Sequence, residues 1–196
     1  MTKGEDTKRA ILERASQLAS RIGLEALTIG RLAKETGLSK SGLFAHFGAK
    51  ETLQIEVLEF TALDYRDKVV RPAFQEAAGE PRIVALFEHW LAWVKANALE
   101  GGCLFIQSAT EFDDQPGAVR DCLEMWQRRW LEGLAEAARR AIDAGHFKPD
   151  LDCDGFAFEY YALLLGYHNS QRMLRDPRAE DFVRRAIDDL LARCRR

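Results

Sequence analysis

Between residues 28 and 50 the chain offers groups suited to contact with a polyanion. Thr28, Ser39 and Ser41 supply hydroxyls, Lys40, His46 and Lys50 supply cations, and Gly42 supplies bare backbone. Hydroxyls and cations of this kind bind phosphate oxygens, and a lysine can also reach the O6 and N7 acceptors of guanine. The chemistry implied is recognition. Catalysis has no comparable signature, because the chain lacks a glycine-rich phosphate loop, a G-x-S-x-G turn and an HExxH helix. Asp113 and Asp114 are adjacent carboxylates, but the flanking Gln115-Pro116-Gly117 marks them as part of a turn.

Two short helices joined by a tight turn would position those groups. Thr28 caps the first, and Ile29, Leu32 and Ala33 then share one face at i, i+3 and i+4. Gly37 ends it where the backbone must turn left-handed, Leu38 tucks under the turn, and Ser39 caps the second helix. Leu43, Phe44 and Phe47 are expected as its buried anchors, leaving Lys40, Ser41, Gly42, Ala45 and His46 outward. A short helix with small, polar and basic residues outward fits the major groove. At its start, Lys40 and Ser41 are best placed for base edges, and Gly42 permits close backbone approach. His46 and Lys50 are expected on phosphates, as is Thr28, since helix N-termini attract anions.

The charge distribution agrees. The net charge is -3 overall, yet residues 1–50 hold nine Lys and Arg against five Asp and Glu, a balance of +4. The remainder carries -7, so a basic head sits on an acidic body. At 196 residues, 47% hydrophobic and 30% charged, the composition is that of an ordinary globular chain. With no membrane-length apolar run and no apolar stretch in MTKGEDTKRA, a cytoplasmic protein is expected. Cys103, Cys122, Cys153 and Cys194 show no CxxC pairing and no histidine at ligand spacing, so neither a metal nor a cofactor is expected. Reduced, packed thiols are the first reading of them, and a redox or thiol-reactive sensor built on Cys103 and Cys122 is the alternative.

The segment resembles the DNA-binding domain of tetracycline-repressor-like (TetR-family) transcriptional regulators. The resemblance covers about residues 5–60. A first helix over Thr7–Ile22 precedes the helix-turn-helix, and Phe47-Gly48-Ala49-Lys50-Glu51-Thr52-Leu53 matches the family's F-x-x-K-[ED]-x-L exit into a long fourth helix. Two positions depart from the usual pattern. Phe44 stands where the family often has a tyrosine whose hydroxyl touches a phosphate, and Gly42 where it often has threonine; the resemblance implies DNA contact at both positions, so Phe44 joins Thr28, Ser39, Lys40, Ser41, Gly42, His46 and Lys50 among the DNA-contact candidates. Farther on, Gly145-His146-Phe147-Lys148-Pro149-Asp150-Leu151-Asp152 resembles the connector common before the family's penultimate helix.

Helical periodicity continues to the C-terminus. Helices are expected from Lys50 to about Val70, over residues 82–98 and 103–111, from about Ala118 to Ala144, over 153–174, and after Pro177. The fold class expected is all-α: an N-terminal three-helix helix-turn-helix DNA-binding domain over residues 1–50, then a helical ligand-binding and dimerisation domain over 51–196. The segment from Gly155 to Tyr167 is apolar on nearly every face, so it needs cover on all sides. That need predicts half of a dimeric four-helix bundle, with Phe156, Leu163, Leu164, Tyr167, Phe182, Ile187 and Leu190 at the interface. Aromatic residues at helical spacing are ordinarily core. The resemblance nonetheless implies a cavity for a small apolar or aromatic effector, for which Phe87, Trp90, Trp93, Cys103, Phe105, Trp126, Trp130 and Tyr160 are the candidates. It also implies a homodimer on palindromic operator DNA that is released by an inducer. The alternative is a helix-turn-helix protein with no inducer, whose C-terminal domain only dimerises or binds another protein.

Overall fold

A computed structural model describes residues 3–96 and 100–196, with only the backbone for Lys3. Its helices are α1 (Lys3–Ile22), α2 (Ile29–Thr36), α3 (Lys40–Phe47), α4 (Lys50–Tyr65), α5 (Arg71–Ala73), α6 (Glu80–Lys95), α7 (Leu104–Phe112), α8 (Ala118–Asp143), α9 (Cys153–Arg172) and α10 (Ala179–Cys194). The expected all-α class is found. Residues 97 and 98, the end of the helix expected over 82–98, lie outside the described residues.

The α-helical form stops at Tyr65, short of the expected Val70. Residues Arg66–Val70 form a wider π-helical turn that runs into α5. Pro72 accounts for this. It has no N–H to give the carbonyl four residues back, and its ring would strike that carbonyl, so a regular α-helix cannot run through it.

The chain divides into two compact units. One joins Met1–Tyr65 to Val94–Trp126, and the other joins Arg66–Trp93 to Gln127–Arg196. The first unit has one continuous core. Leu18 and Ala19 of α1, Leu24 and Leu27 of the following loop, and Leu32, Leu43, Phe47, Leu53 and Val57 of α2 to α4 pack in it together with Leu104, Phe112, Val119 and Leu123. The α7 helix and the start of α8 are thus part of the structure that carries the helix-turn-helix.

Polar ties bind the same pieces. The buried Gln54 amide donates to the Leu24 carbonyl at 2.7 Å, and the Glu25 N–H donates to Oε2 of Glu111 at 2.8 Å. Both hold the loop between α1 and α2, the first from α4 and the second from α7. At Gly101 the backbone approaches α1 so closely that a Cβ would fall on the Ser20 carbonyl, while the Gly101 N–H donates to Oγ of Ser20 at 3.2 Å.

In the second unit α9 packs along α10. The rings of Phe147, Phe156 and Tyr160 follow one another at 5.8 and 5.9 Å, and Trp90 meets Tyr167 edge-on at 5.6 Å. An isolated bridge between Phe147 and Arg195 ties the C-terminus to the link before α9, and Lys148 donates its N–H to the Cys194 carbonyl at 2.9 Å. Asp152 caps α9 by accepting from the N–H groups of Asp154 and Gly155.

The expected surroundings of α9 and α10 need one correction. Phe156, Leu164, Tyr167, Ile187 and Leu190 are buried within the single chain, so they hold this unit together. The outward residues of α9 include Phe158, which is 72% exposed, with Ala162, Leu165 and Gly166. Of the expected interface set, only Phe182 is exposed, and Leu163 is half-buried. The physical reason is that α10 and the aromatic series already cover the other side of α9. Among the described residues no helix is long and apolar enough to cross a membrane.

Candidate nucleic-acid interface

The helix-turn-helix is built from local signals. The Thr28 side chain accepts from the Arg31 N–H at 3.1 Å and starts α2. Gly37 ends α2 at φ 70° and ψ 8°, in the left-handed region that a residue with a Cβ rarely occupies. The Ser39 hydroxyl accepts from the Gly42 N–H at 3.0 Å, which starts α3. A Cβ on Gly42 would lie 2.9 Å from that hydroxyl oxygen, so the absent side chain leaves room for the cap.

Around these caps the outward residues gather as expected, with two exceptions. Lys40, Ser41, Gly42, Ala45 and His46 are exposed, and Leu43 and Phe47 are buried one turn apart. Leu38 does not tuck beneath the turn, and is 42% exposed. Phe44 is not a buried anchor either, and is 57% exposed. At 100° per residue, an eight-residue helix points only one i, i+4 pair squarely inward, and Leu43 with Phe47 is that pair.

The first turns of α2 and α3 are electrostatically unusual. Neither contains a carboxylate, yet Arg31 stands in one and Lys40 in the other. A cation near a helix N-terminus opposes the positive end of the helix dipole, an arrangement that becomes favourable when an anion sits there. Arg31 was not anticipated from the sequence. Its guanidinium donates to the Ala26 carbonyl at 3.3 Å and is exposed beside the Thr28 cap. The signal that could have found it is a basic residue three positions after a capping threonine.

Lys50 is engaged in an ion pair. Its Nζ lies 2.7 Å from Oε1 of Glu25, and both side chains remain substantially exposed. An exposed pair of this kind contributes about 1 kcal/mol or less, so a phosphate can displace the carboxylate. Glu25→Gln should therefore strengthen operator binding by about two- to fivefold, by releasing Lys50 and removing a negative charge beside it. A gel-shift titration checks this, and unchanged or weaker binding would remove Lys50 from the phosphate contacts.

The residues expected to line an effector cavity fall in both units. Cys103, Phe105 and Trp126 belong to the unit that carries the helix-turn-helix, and Phe87, Trp90, Trp93, Trp130 and Tyr160 belong to the other. Phe87, Trp90, Trp93 and Tyr160 are buried, and burial pushes the Tyr160 phenol well above its usual range, so it stays neutral. Its hydroxyl is buried with no hydrogen-bond partner among the described residues. An open cleft of about 780 Å³ in the second unit is lined by other residues, among them Glu76, Glu80, Val84, Glu88, His89 and His146.

Cys103 and Cys122 are held toward the neutral thiol. Burial pushes Cys103 up to about 11, and burial together with the nearby Glu59 charge pushes Cys122 up to about 11. Reactive cysteines need the opposite shift, toward the thiolate. Among the described residues no group of three or more His, Cys, Asp or Glu side chains is placed to hold a metal.

Comparison with known proteins places these features in a family. Residues 11–57 match "Bacterial regulatory proteins, tetR family". Residues 79–187 match "Tetracyclin repressor-like, C-terminal domain". The chain is 27% identical over 153 residues to the HTH-type transcriptional repressor KstR2 of Mycobacterium tuberculosis, covering 74% of this chain and 70% of that protein. A TetR transcriptional regulator from Chloroflexus aurantiacus superposes with a TM-score of 0.85 at 23% identity, over 98% of this chain and 96% of that one. A putative transcriptional regulator from Saccharomonospora viridis, solved in complex with choline, superposes with a TM-score of 0.78 at 26% identity, over 95% of each chain.

Proposed function

Since the chain belongs to the tetR family of bacterial regulatory proteins, and is a DNA-binding transcriptional regulator rather than an enzyme, we propose that it represses transcription as a homodimer on a palindromic operator and is released by a small molecule. The observation that carries the DNA half is the pair of short helices whose first turns hold Arg31 and Lys40 with no carboxylate. The relative named as a transcriptional repressor supports repression as the direction of control. In this reading residues 1–50 meet DNA in the cytoplasm. Lys40 and Ser41 read base edges, Gly42 allows close approach, and Thr28, Ser39, His46 and Lys50 lie along the phosphates. Residues 51–196 bind the effector and dimerise.

The effector half is supported by where the candidates sit. Cys103 and Phe105 flank the start of α7, whose Leu104 and Phe112 are in the core beneath the helix-turn-helix. A small apolar or aromatic molecule that repacks α7 would therefore disturb the head directly. It must bind the two conformations with different affinity, or it shifts nothing. Within the second unit, the orphan Tyr160 hydroxyl is a ready donor for one polar group of a ligand bound there, and the choline-bound relative supports small-molecule binding in general. The alternative, a C-terminal domain that only dimerises or binds a protein partner, is favoured by the tight burial of Phe87, Trp90 and Tyr160. A melting scan of the full chain against a small-molecule library separates the two, since an effector must raise the melting temperature and also release DNA.

The DNA half is tested by selecting sites from a random library with the full-length protein. Two inverted half-sites spaced about one helical turn are expected. Binding should weaken with salt with a log-log slope of about -0.9 per phosphate neutralised, and Lys50→Ala should flatten it by about one unit per subunit. Lys40→Ala should relax discrimination at particular positions instead of weakening every sequence alike. Recovery of no sequence, or a slope near zero, would overturn the reading.

A further inference from the structure

The open cleft of the second unit is lined by residues other than those expected for an effector cavity, and its chemistry is different. Its volume of about 780 Å³ lies within the range of small-molecule sites, about 300–1,000 Å³. Pro81, Val84, Ala85 and Glu88, at i, i+3, i+4 and i+7, lay one face of α6 along it, so an apolar strip ends in a carboxylate. Most of the charges around the cleft are already engaged. The Arg195 guanidinium donates to Oε1 of Glu80 at 2.5 Å and to Oε2 at 3.1 Å, and Arg184 of α10 donates to Glu88 at 2.5 Å. These pairs tie α10 and the C-terminus to α6 and hold the wall in place. Nδ1 of His146 accepts from the Glu80 N–H at 3.1 Å, so in the neutral ring the proton sits on Nε2, as a donor. The ring reaches that N–H because Gly79 has no side chain, and a Cβ there would lie 2.3 Å from Nδ1.

Two opposite charges remain. Glu76 and Arg196 both line the cleft, both are exposed, and neither side chain has an ion pair or hydrogen bond among the described residues. A simple cation would meet Glu76 but be repelled by Arg196, and a simple anion would meet the reverse. A molecule with both an ammonium and a carboxylate satisfies the two together, and Pro81, Val84 and Ala85 can cover its apolar part. We propose that this cleft binds a small zwitterion with an apolar side chain, a free amino acid or dipeptide, whose ammonium pairs with Glu76 and whose carboxylate pairs with Arg196. The repressor reading needs no ligand at this place, so the site goes beyond it.

Isothermal titration calorimetry of the full-length protein at low salt, with L-leucine and L-leucyl-L-leucine as probes, tests this. At least one of the two should bind. Its N-acetyl derivative lacks the positive charge and its methyl ester lacks the negative one, so each should bind about fivefold more weakly, the scale of one exposed ion pair. Glu76→Gln should bind the zwitterion and its N-acetyl form alike, and Arg196→Gln should bind the zwitterion and its methyl ester alike. Neither side chain holds another, so both variants should melt like the wild type. The proposal falls if neither zwitterion binds, or if the ester or the N-acetyl form binds as tightly as its parent. It also falls if the two variants leave those ratios unchanged, because the ligand then sits elsewhere. None of these outcomes bears on operator binding, which a gel shift of the same preparations reports separately.

Discussion

Phe158→Glu or Leu165→Arg should leave the protein folded, sedimenting as a monomer, with operator affinity reduced by at least about a thousandfold, the lower end of the gap between specific and non-specific binding. Phe158, Ala162, Leu165 and Asn169 recur at i, i+4, i+7 and i+11 on α9 and are all exposed. Phe158 alone is 72% exposed, and burial of a phenylalanine side chain stabilises by about 1.5–3 kcal/mol. On α10 a further large apolar residue, Phe182, is 42% exposed, with the guanidinium groups of Arg178 and Arg185 at 5.1 and 5.3 Å from its ring. A charge on the stripe would be desolvated without a partner if two copies met there. Two heads held at fixed spacing bind both half-sites, whereas one head binds only weakly. Leu164→Arg is the contrasting variant. Leu164 is 1% exposed inside the single chain, so a charge there should unfold the unit instead of merely separating subunits. Analytical ultracentrifugation, a melt and a gel shift on the three variants decide the matter. A wild type that binds its operator tightly as a monomer would rule out this interface.

The helix-turn-helix was legible because its determinants are close in sequence. Thr28, Gly37 and Ser39 act on backbone groups within three residues of themselves, and each does in the structure what its chemistry predicts. The misplaced residues fail for a different reason. Leu38 lies in the turn before α3 and Phe44 within it; α3 has only eight residues, and composition alone does not say which of its apolar side chains, Leu43, Phe44 and Phe47, point inward. In α9 apolar residues fall on several faces, and the sequence alone does not say which of them the chain covers for itself. That depends on α10 and on Phe147, which reach α9 through tertiary packing. Gln54 and Glu111 show the same limit. Each is an unremarkable polar residue on a helix until the loop holding Leu24 and Glu25 is brought against it.

A fragment ending at Tyr65 should fail to fold into a DNA-binding head, although it contains the whole helix-turn-helix. The core beneath that motif includes Leu104 and Phe112 of α7 and Val119 and Leu123 of α8, all at 5% exposure or less. Deleting them uncovers Leu24, Leu27 and Leu53, each fully buried in the intact chain. Truncating a single buried leucine or phenylalanine costs about 2–5 kcal/mol, so losing three such partners and a valine exceeds the few kcal/mol available to a domain of this size. The fragment also loses the Glu111 carboxylate that accepts from the Glu25 N–H, leaving the loop before α2 less constrained. Far-ultraviolet circular dichroism should show weak helicity without a cooperative melt, and the fragment should bind neither operator nor non-specific DNA as the full chain does. In the full chain, Phe112→Ala should lower stability by about 3–5 kcal/mol and weaken operator binding through the head's packing, though Phe112 lies outside the helix-turn-helix. A fragment that melts cooperatively near the temperature of the full chain would show that the head is self-sufficient. In that event an effector acting on α7 would have no direct route through the head's core to the DNA-reading helices.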